Sequence, residues 1–155
     1  GLDRSIVDDV RVAAPMHDIG KIGVADNILR KPGKLTPDEF EIVKQHTVIG
    51  ANILDGSDIP LIQMAKHIAL HHHERWDGGG YPTGKSGTDI PKYARIVAIV
   101  DVFDALLSPR VYKPAFPLEK AVQIISEQRG KQFDPEIFDV FMSLIPEFET
   151  IRKSV

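Results

Sequence analysis

The sequence predicts an all-α fold, and three observations carry that expectation. Apolar residues recur at spacings of three and four along most of the 155-residue chain, as on one face of a helix. Proline opens several of these segments, at Pro37, Pro60 and Pro135, where a missing N–H costs a helix nothing. The run Arg95-Ile96-Val97-Ala98-Ile99-Val100 resembles a strand alone, but it continues through Asp101 to Leu107 and is then long enough for a helix. There is no internal repeat, low-complexity tract or linker, so one compact helical domain is expected.

From the N-terminus, Asp3 to Met16 places Ile6, Val7, Val10, Ala13 and Ala14 at helical spacing and leads into His17-Asp18. From Gly20 to Leu35, glycines, Pro32 and scattered basic residues predict irregular chain. Thr36-Pro37-Asp38-Glu39 is a capping box. The helix it opens is expected to carry Phe40, Val43, His46, Gly50 and Ile53 on one stripe, with His46 toward the core. A helix from Pro60 puts Leu61, Ala65, Ile68 and Ala69 on a face with His72. It must end near Glu74, because residues 77–91 hold five glycines and two prolines. Tyr93 to Leu107 follows as a buried helix with Asp101 and Asp104 three apart on one face. Leu118 to Gln128 and Pro135 to Leu144 close the fold, the latter with Asp134 as N-cap.

Composition narrows the function. Apolar content of 43% and charged content of 26% are those of a soluble globular protein. A net charge of −3 provides no global field for a nucleic-acid polymer, but leaves room for a small anion held by local cations. The absence of cysteine excludes disulfides and thiolate metal sites and suits the cytoplasm. No apolar run is long enough for a membrane span, and the N-terminus lacks a signal-peptide layout.

The six histidines are His17, His46, His67 and His71 to His73, the last three followed by Glu74 and a glycine-dense loop. One histidine on an apolar helix face is usually a core residue, and a buried aspartate usually caps or pairs. The combination reads differently. Asp101 lies among Ile99, Val100, Val102 and Phe103, where an unpaired carboxylate is costly to desolvate. His17-Asp18 ends an apolar helix, and His72 shares an apolar face. Two cations at their meeting point satisfy all of these groups. Imidazole and carboxylate without thiolate suit Fe, Mn, Zn, Co or Ni. A bridging aspartate can hold two metals about 3.5–4 Å apart, with a hydroxide between them, an arrangement suited to phosphate-ester hydrolysis. His71, off the face of His72, is expected to support the site or face solvent. Glu74 reads either as orienting a ligand histidine or as a helix-end carboxylate.

An ordered series of motifs resembles the HD-GYP family of HD-domain metal-dependent phosphohydrolases. It runs through His17-Asp18-Ile19-Gly20-Lys21, Lys31-Pro32-Gly33-Lys34-Leu35-Thr36, His46 with Ile49-Gly50, and His72-His73-Glu74. It continues with Asp77-Gly78, Gly80-Tyr81-Pro82, Ile90-Pro91, Ala94-Arg95-Ile96-Val97 and Asp101 to Leu106, then Arg110-Val111-Tyr112-Lys113 and Phe133-Asp134-Pro135. The resemblance implies a compact HD-domain bundle of about five to seven helices over residues 1–155. It also implies hydrolysis of the bacterial second messenger cyclic di-GMP to pGpG or GMP. Two or three divalent metals are implied, iron or manganese foremost, with zinc, nickel, cobalt and magnesium compatible. By position, His17, Asp18, His46, His72, His73 and Asp101 match metal ligands, with Asp18 bridging. Lys21 matches a catalytic lysine facing the scissile phosphate, and Tyr81, Asp104, Arg110 and Lys113 match substrate-holding residues. A guanidinium fork at Arg110 and a point charge at Lys113 suit phosphodiesters. The implied partners are a fused or separate sensor or receiver domain of two-component signalling, and diguanylate cyclase domains. Family domains usually carry further ligands on a helix upstream of His17, so this chain is expected to lack the family's N-terminal helix or helices. Two alternatives stand beside this reading: a non-catalytic nucleotide-binding or interaction module, and a phosphohydrolase for another cyclic dinucleotide.

Overall fold

Caps and prolines decide where the helices begin. The computed structural model describes residues 3–109 and 115–153. The Thr36 hydroxyl accepts from the Glu39 N–H, and the Glu39 carboxylate accepts from the Thr36 N–H, the reciprocal capping box the sequence predicts. Asp134 caps its helix by accepting from the N–H groups of Glu136 and Ile137.

The resulting order is α1 (Arg4–Ala13), 3₁₀ turns at Ala14–Met16 and Ile19–Gly23, α2 (Asp26–Leu29), α3 (Pro37–Lys44), α4 (His46–Ile53) and α5 (Pro60–His71). A 3₁₀ turn at Gly87–Asp89 precedes α6 (Lys92–Leu107), α7 (Leu118–Ser126), α8 (Pro135–Ser143) and α9 (Ile145–Lys153). No strand occurs among the described residues, so the fold is all-α as expected.

The structure corrects three local expectations. Residues 20–35 are not wholly irregular, since the Ile19–Gly23 turn and α2 lie there. The helix expected from Pro37 onward is interrupted at Gln45, whose N–H bonds the Ile42 carbonyl in a tight turn. Its single stripe does not hold either. His46 and Gly50 are buried, but Phe40 and Ile53 are 46% and 48% exposed. The break puts Phe40 on α3 and Ile53 on α4, so the two no longer share a helix face. Finally, α9 extends the chain beyond Leu144, with Ile145 and Phe148 packed on the core.

Two apolar clusters hold the bundle. Ala13, Leu54, Ala65, Ile68, Ala69 and Val97 join α1, α5 and α6 at the end of α4. Alanines at the contact let the helices approach closely. Ile99, Phe103, Leu107, Ala121, Ile125, Phe133, Phe138 and Phe141 form the second cluster, with Phe103 and Phe141 edge to face at 5.1 Å. Helix α6 contributes to both, which explains its strand-like apolar density. Arg95, also on α6, forms an ion pair with buried Asp134 and lies over the Trp76 ring at 5.7 Å.

One close approach positions the functional end of the molecule. The Ile19–Gly23 turn lies backbone to backbone on α4: a Cβ on Gly20 would fall 1.9 Å from the His46 carbonyl oxygen and 2.4 Å from the Gly50 nitrogen. Only glycine fits there, and this contact sets His17-Asp18 against His46.

Candidate metal centre

Four segments deliver the side chains that meet here. The turn after α1 supplies His17 and Asp18, the first residue of α4 is His46, the end of α5 supplies His72 and His73, and the middle of α6 supplies Asp101. Their atoms converge. His17 Nε2 lies 3.3 Å from Asp18 Oδ2 and 3.5 Å from Asp101 Oδ1. Asp18 Oδ1 lies 3.4 Å from His46 Nε2 and 3.8 Å from His72 Nε2. The His73 ring packs against those of His72 at 4.1 Å and His46 at 5.1 Å between centroids.

The backbone fixes which nitrogen faces the centre. Nδ1 of His17 donates to the Ala14 carbonyl at 2.9 Å, and Nδ1 of His46 to the Val43 carbonyl at 2.7 Å. Nδ1 of His72 lies 3.1 and 3.0 Å from the Ile68 and Ala69 carbonyls. In a neutral ring the opposite nitrogen then presents a lone pair. Burial pushes His46 below its ordinary pKa, and burial together with neighbouring histidines pushes His72 down to about 3 and His73 to about 4. These rings are therefore neutral near pH 7.

That geometry has a consequence for charge. His46 Nε2 and His72 Nε2 stand 3.4 Å apart as two acceptors, and buried Asp18 Oδ1 beside them has no hydrogen-bond donor. Two lone pairs and a carboxylate oxygen facing each other repel unless a cation lies between them. The donors His46, His72 and His73, and separately His17, Asp18 and His72, each lie within 4.8 Å of one another. Two triads sharing His72 make a nitrogen- and oxygen-rich set that fits divalent transition metals.

The rim is charged differently. Lys21 donates to Asp18 Oδ2, so that oxygen is paired while Oδ1 is free. His17 and Lys21 together outweigh burial and hold the Asp18 carboxyl well below the usual range; against its own burial, Asp101 is also lowered, chiefly by His17. Despite burial, bonds to Asp101 and Asp18 raise the His17 pKa to about 10.

The glycine-dense loop folds back onto the end of α5. A Cβ on Gly80 would meet the Arg75 nitrogen at 2.4 Å and the His73 carbonyl oxygen at 2.6 Å, and the Tyr81 N–H donates to that carbonyl. Tyr81 thereby lies 4.9 Å from the His73 ring, and burial with the Asp101 and Asp18 charges raises its phenol pKa. Glu74 resolves the two readings open for it: its Oε1 accepts from the Thr83 N–H at 2.8 Å and hydroxyl at 2.6 Å, pinning the loop. His71 is buried rather than solvent-facing, stacked on His67 with Nδ1 3.8 Å from Glu74 Oε1. Asp104 lies one turn beyond Asp101, and both reach a cleft of about 410 Å³ between α1 and α6 that also exposes His17. Arg110 and Lys113 lie outside the described residues.

Sequence reasoning missed Phe40 and Lys44. Phe40 meets Tyr81 edge to face at 6.3 Å, and the Lys44 ammonium lies over both rings at 5.7 and 5.5 Å. Their spacing of four on α3 was visible, but the partner across the loop was not.

A family model described as an HD domain matches residues 1–137. The chain is 50% identical over 153 residues to a cyclic di-GMP phosphodiesterase of Thermotoga maritima, covering 99% of this chain and 42% of that protein. It is 48% identical over 151 residues to the cyclic di-GMP phosphodiesterase response regulator RpfG of Xanthomonas campestris, covering 97% and 40%. It is 43% identical over 155 residues to the 3'3'-cGAMP-specific phosphodiesterase 2 of Vibrio cholerae, covering 100% and 30%. This chain thus spans less than half the length of these relatives. Among solved structures it resembles a cyclic GMP-AMP-specific phosphodiesterase of V. cholerae, with TM-score 0.65 and 19% identity over 94% of this chain and 39% of that one. At that identity the likeness speaks to the fold.

Proposed function

This chain belongs to the HD-domain family, in its HD-GYP branch, and on that premise we propose that it hydrolyses the phosphodiester bonds of cyclic di-GMP to pGpG or GMP. The observation that carries the reading is Asp18 Oδ1, buried without a donor and facing the lone pairs of His46 and His72. His17, Asp18, His46, His72, His73 and Asp101 would hold two or three divalent cations, iron or manganese foremost. When bound, such cations supply Lewis acidity toward the phosphodiester and acidify water.

The chain's own groups supply the rest. Lys21, hydrogen-bonded to Asp18, would donate to a phosphoryl oxygen whose charge grows during attack. Tyr81, a phenol at neutral pH and held further in that form by burial and the Asp101 and Asp18 charges, can donate a hydrogen bond to the substrate. Asp104, on α6, and Arg110 and Lys113, by their match to the family's motifs, would be substrate-holding groups, the guanidinium and the ammonium neutralising phosphate. Water adds its oxygen to phosphorus, and the ribose 3′ oxygen leaves and takes up a proton. The length of the relatives beyond this region, and the response-regulator name of one of them, support an attached sensor or receiver domain. Diguanylate cyclase domains belong to the same proposed circuit. Among the described residues no helix is long and apolar enough to cross a membrane, and a cytoplasmic setting suits the substrate.

The test is direct. Protein reconstituted with manganese or iron is incubated with cyclic di-GMP and the products are separated by chromatography. Formation of pGpG or GMP that disappears in Asp18→Asn is expected; metal-loaded protein that yields neither refutes the reading. The 43% identical relative named for 3'3'-cGAMP motivates running that dinucleotide in parallel. Preference for it would replace cyclic di-GMP as the substrate.

A further inference from the structure

Single exposed apolar side chains are ordinary on protein surfaces, but Phe40 does not stand alone. Its ring, 46% exposed, meets Tyr81 edge to face at 6.3 Å, and Tyr81 leans on His73 at 4.9 Å. Phe40, Tyr81 and His73 therefore form an unbroken line of rings from the surface of α3 to the candidate metal centre. Lys44, one turn along α3, holds its ammonium 5.7 Å from the Phe40 ring centre and 2.6 Å from Glu41 Oε1.

A cyclic dinucleotide brings two demands to such a site. Its phosphodiester suits the histidine and aspartate cluster, but its flat purines find no complementary surface among those ligands. An exposed aromatic face a short distance from the phosphate meets the second demand, because every base has a π-face that stacks on such a ring. With Tyr81 against it and the Lys44 ammonium over one side, Phe40 still keeps 46% of its surface exposed for this role. Lys44 adds direction. An ammonium has donors and no acceptor, guanine presents acceptors at O6 and N7, and adenine replaces the O6 acceptor with an N6 donor.

We propose that Phe40, with Lys44 beside it, forms a base-stacking subsite that seats one guanine of the cyclic dinucleotide beside the candidate metal centre. The inference rests on the cyclic-dinucleotide reading above and adds residues that bind the base rather than the phosphate.

Calorimetry with a hydrolysis-resistant bis-phosphorothioate analogue of cyclic di-GMP tests it on the metal-loaded protein. Phe40→Ala is expected to raise Kd roughly five- to a hundredfold, and Phe40→Trp to restore binding with its larger face. Lys44→Met is expected to narrow the preference for this analogue over that of 3'3'-cGAMP. Hydrolysis of bis(4-nitrophenyl) phosphate, a diester without a purine, is followed on the same preparations. A loss confined to the dinucleotide supports the subsite. Equal Kd in wild type and Phe40→Ala overturns it, as do equal losses on both compounds or a wild type that does not bind. A wild type that binds through Phe40 yet never cleaves cyclic di-GMP supports the subsite and refutes the proposed reaction.

Discussion

Replacing Gly20 by alanine tests whether one backbone contact builds the metal centre. The added Cβ would fall 1.9 Å from the His46 carbonyl oxygen, 2.4 Å from the Gly50 nitrogen and 2.9 Å from the Gly50 Cα. All three obstacles are backbone, so no rotamer change relieves them. Overpacking a tight site costs about 1–3 kcal/mol, and a backbone obstacle places this case at the upper end. The reduced entropy of the unfolded chain returns only about 0.4–1 kcal/mol. A net loss of about 2 kcal/mol follows, which lowers Tm by roughly 4–8 °C in a domain of this size. The relief available is for the Ile19–Gly23 turn to lift off α4, which pulls Asp18 away from His46. Metal retention through gel filtration should fall with Tm. Gly56→Ala is the control: its φ of +79° strains alanine, but no atom lies within 4 Å of the new Cβ. That variant should lose about 1–2 kcal/mol and keep its metal. A Gly20→Ala protein melting within about 1 °C of wild type, with full metal content, would refute the reasoning.

Further predictions follow from the same distances. Asp134 both caps α8 and pairs with Arg95 in a buried setting, so Asp134→Ala should cost about 3–5 kcal/mol by urea denaturation. Asp134→Asn, which keeps an acceptor for the cap, should cost less, and equal losses would count against the capping part. Asp18→Asn should weaken manganese binding by at least roughly a hundredfold, beyond the loss typical when only a ligand's hydrogen-bond partner is removed. Equilibrium dialysis reads this, and unchanged affinity would remove Asp18 from the ligand set. Stability of the chelated protein should depend on pH with a definite sign. His72 and His73 protonate near 6.5 when unfolded, but burial holds them to about 3 and about 4 when folded. Their contribution is full above pH 6.5 and is lost as pH falls from there, by up to about 1.4 kcal/mol per unit for each group. His17 runs the other way: its bonds to Asp101 and Asp18 raise it to about 10, so its contribution is full below 6.5 and fades as pH rises toward 10. Denaturant titrations from pH 5 to 9 should therefore show a maximum near neutrality, and a flat profile would contradict both assignments.

The sequence by itself determined the helical class, the capping box at Thr36, the Asp134 cap, and the grouping of His17, Asp18, His46, His72 and Asp101 on apolar faces. These are local matters: a cap is closed by residues three apart, and a helical period records which side faces inward. The tertiary structure decided the rest. Phe40 and Ile53 left the stripe because the helix breaks at Gln45, so α3 and α4 each turn their own face to the core. Glu74 turned to Thr83 rather than to a ligand histidine, because the loop folds back where only Gly80 permits the approach. The orientation of the imidazoles also came from outside their own positions. Carbonyls of Ala14, Val43, Ile68 and Ala69 take the Nδ1 protons, and packing then brings the Nε2 atoms of His17, His46 and His72 around Asp18. Periodicity tells which residues face inward; only the packed backbone decides which atoms meet.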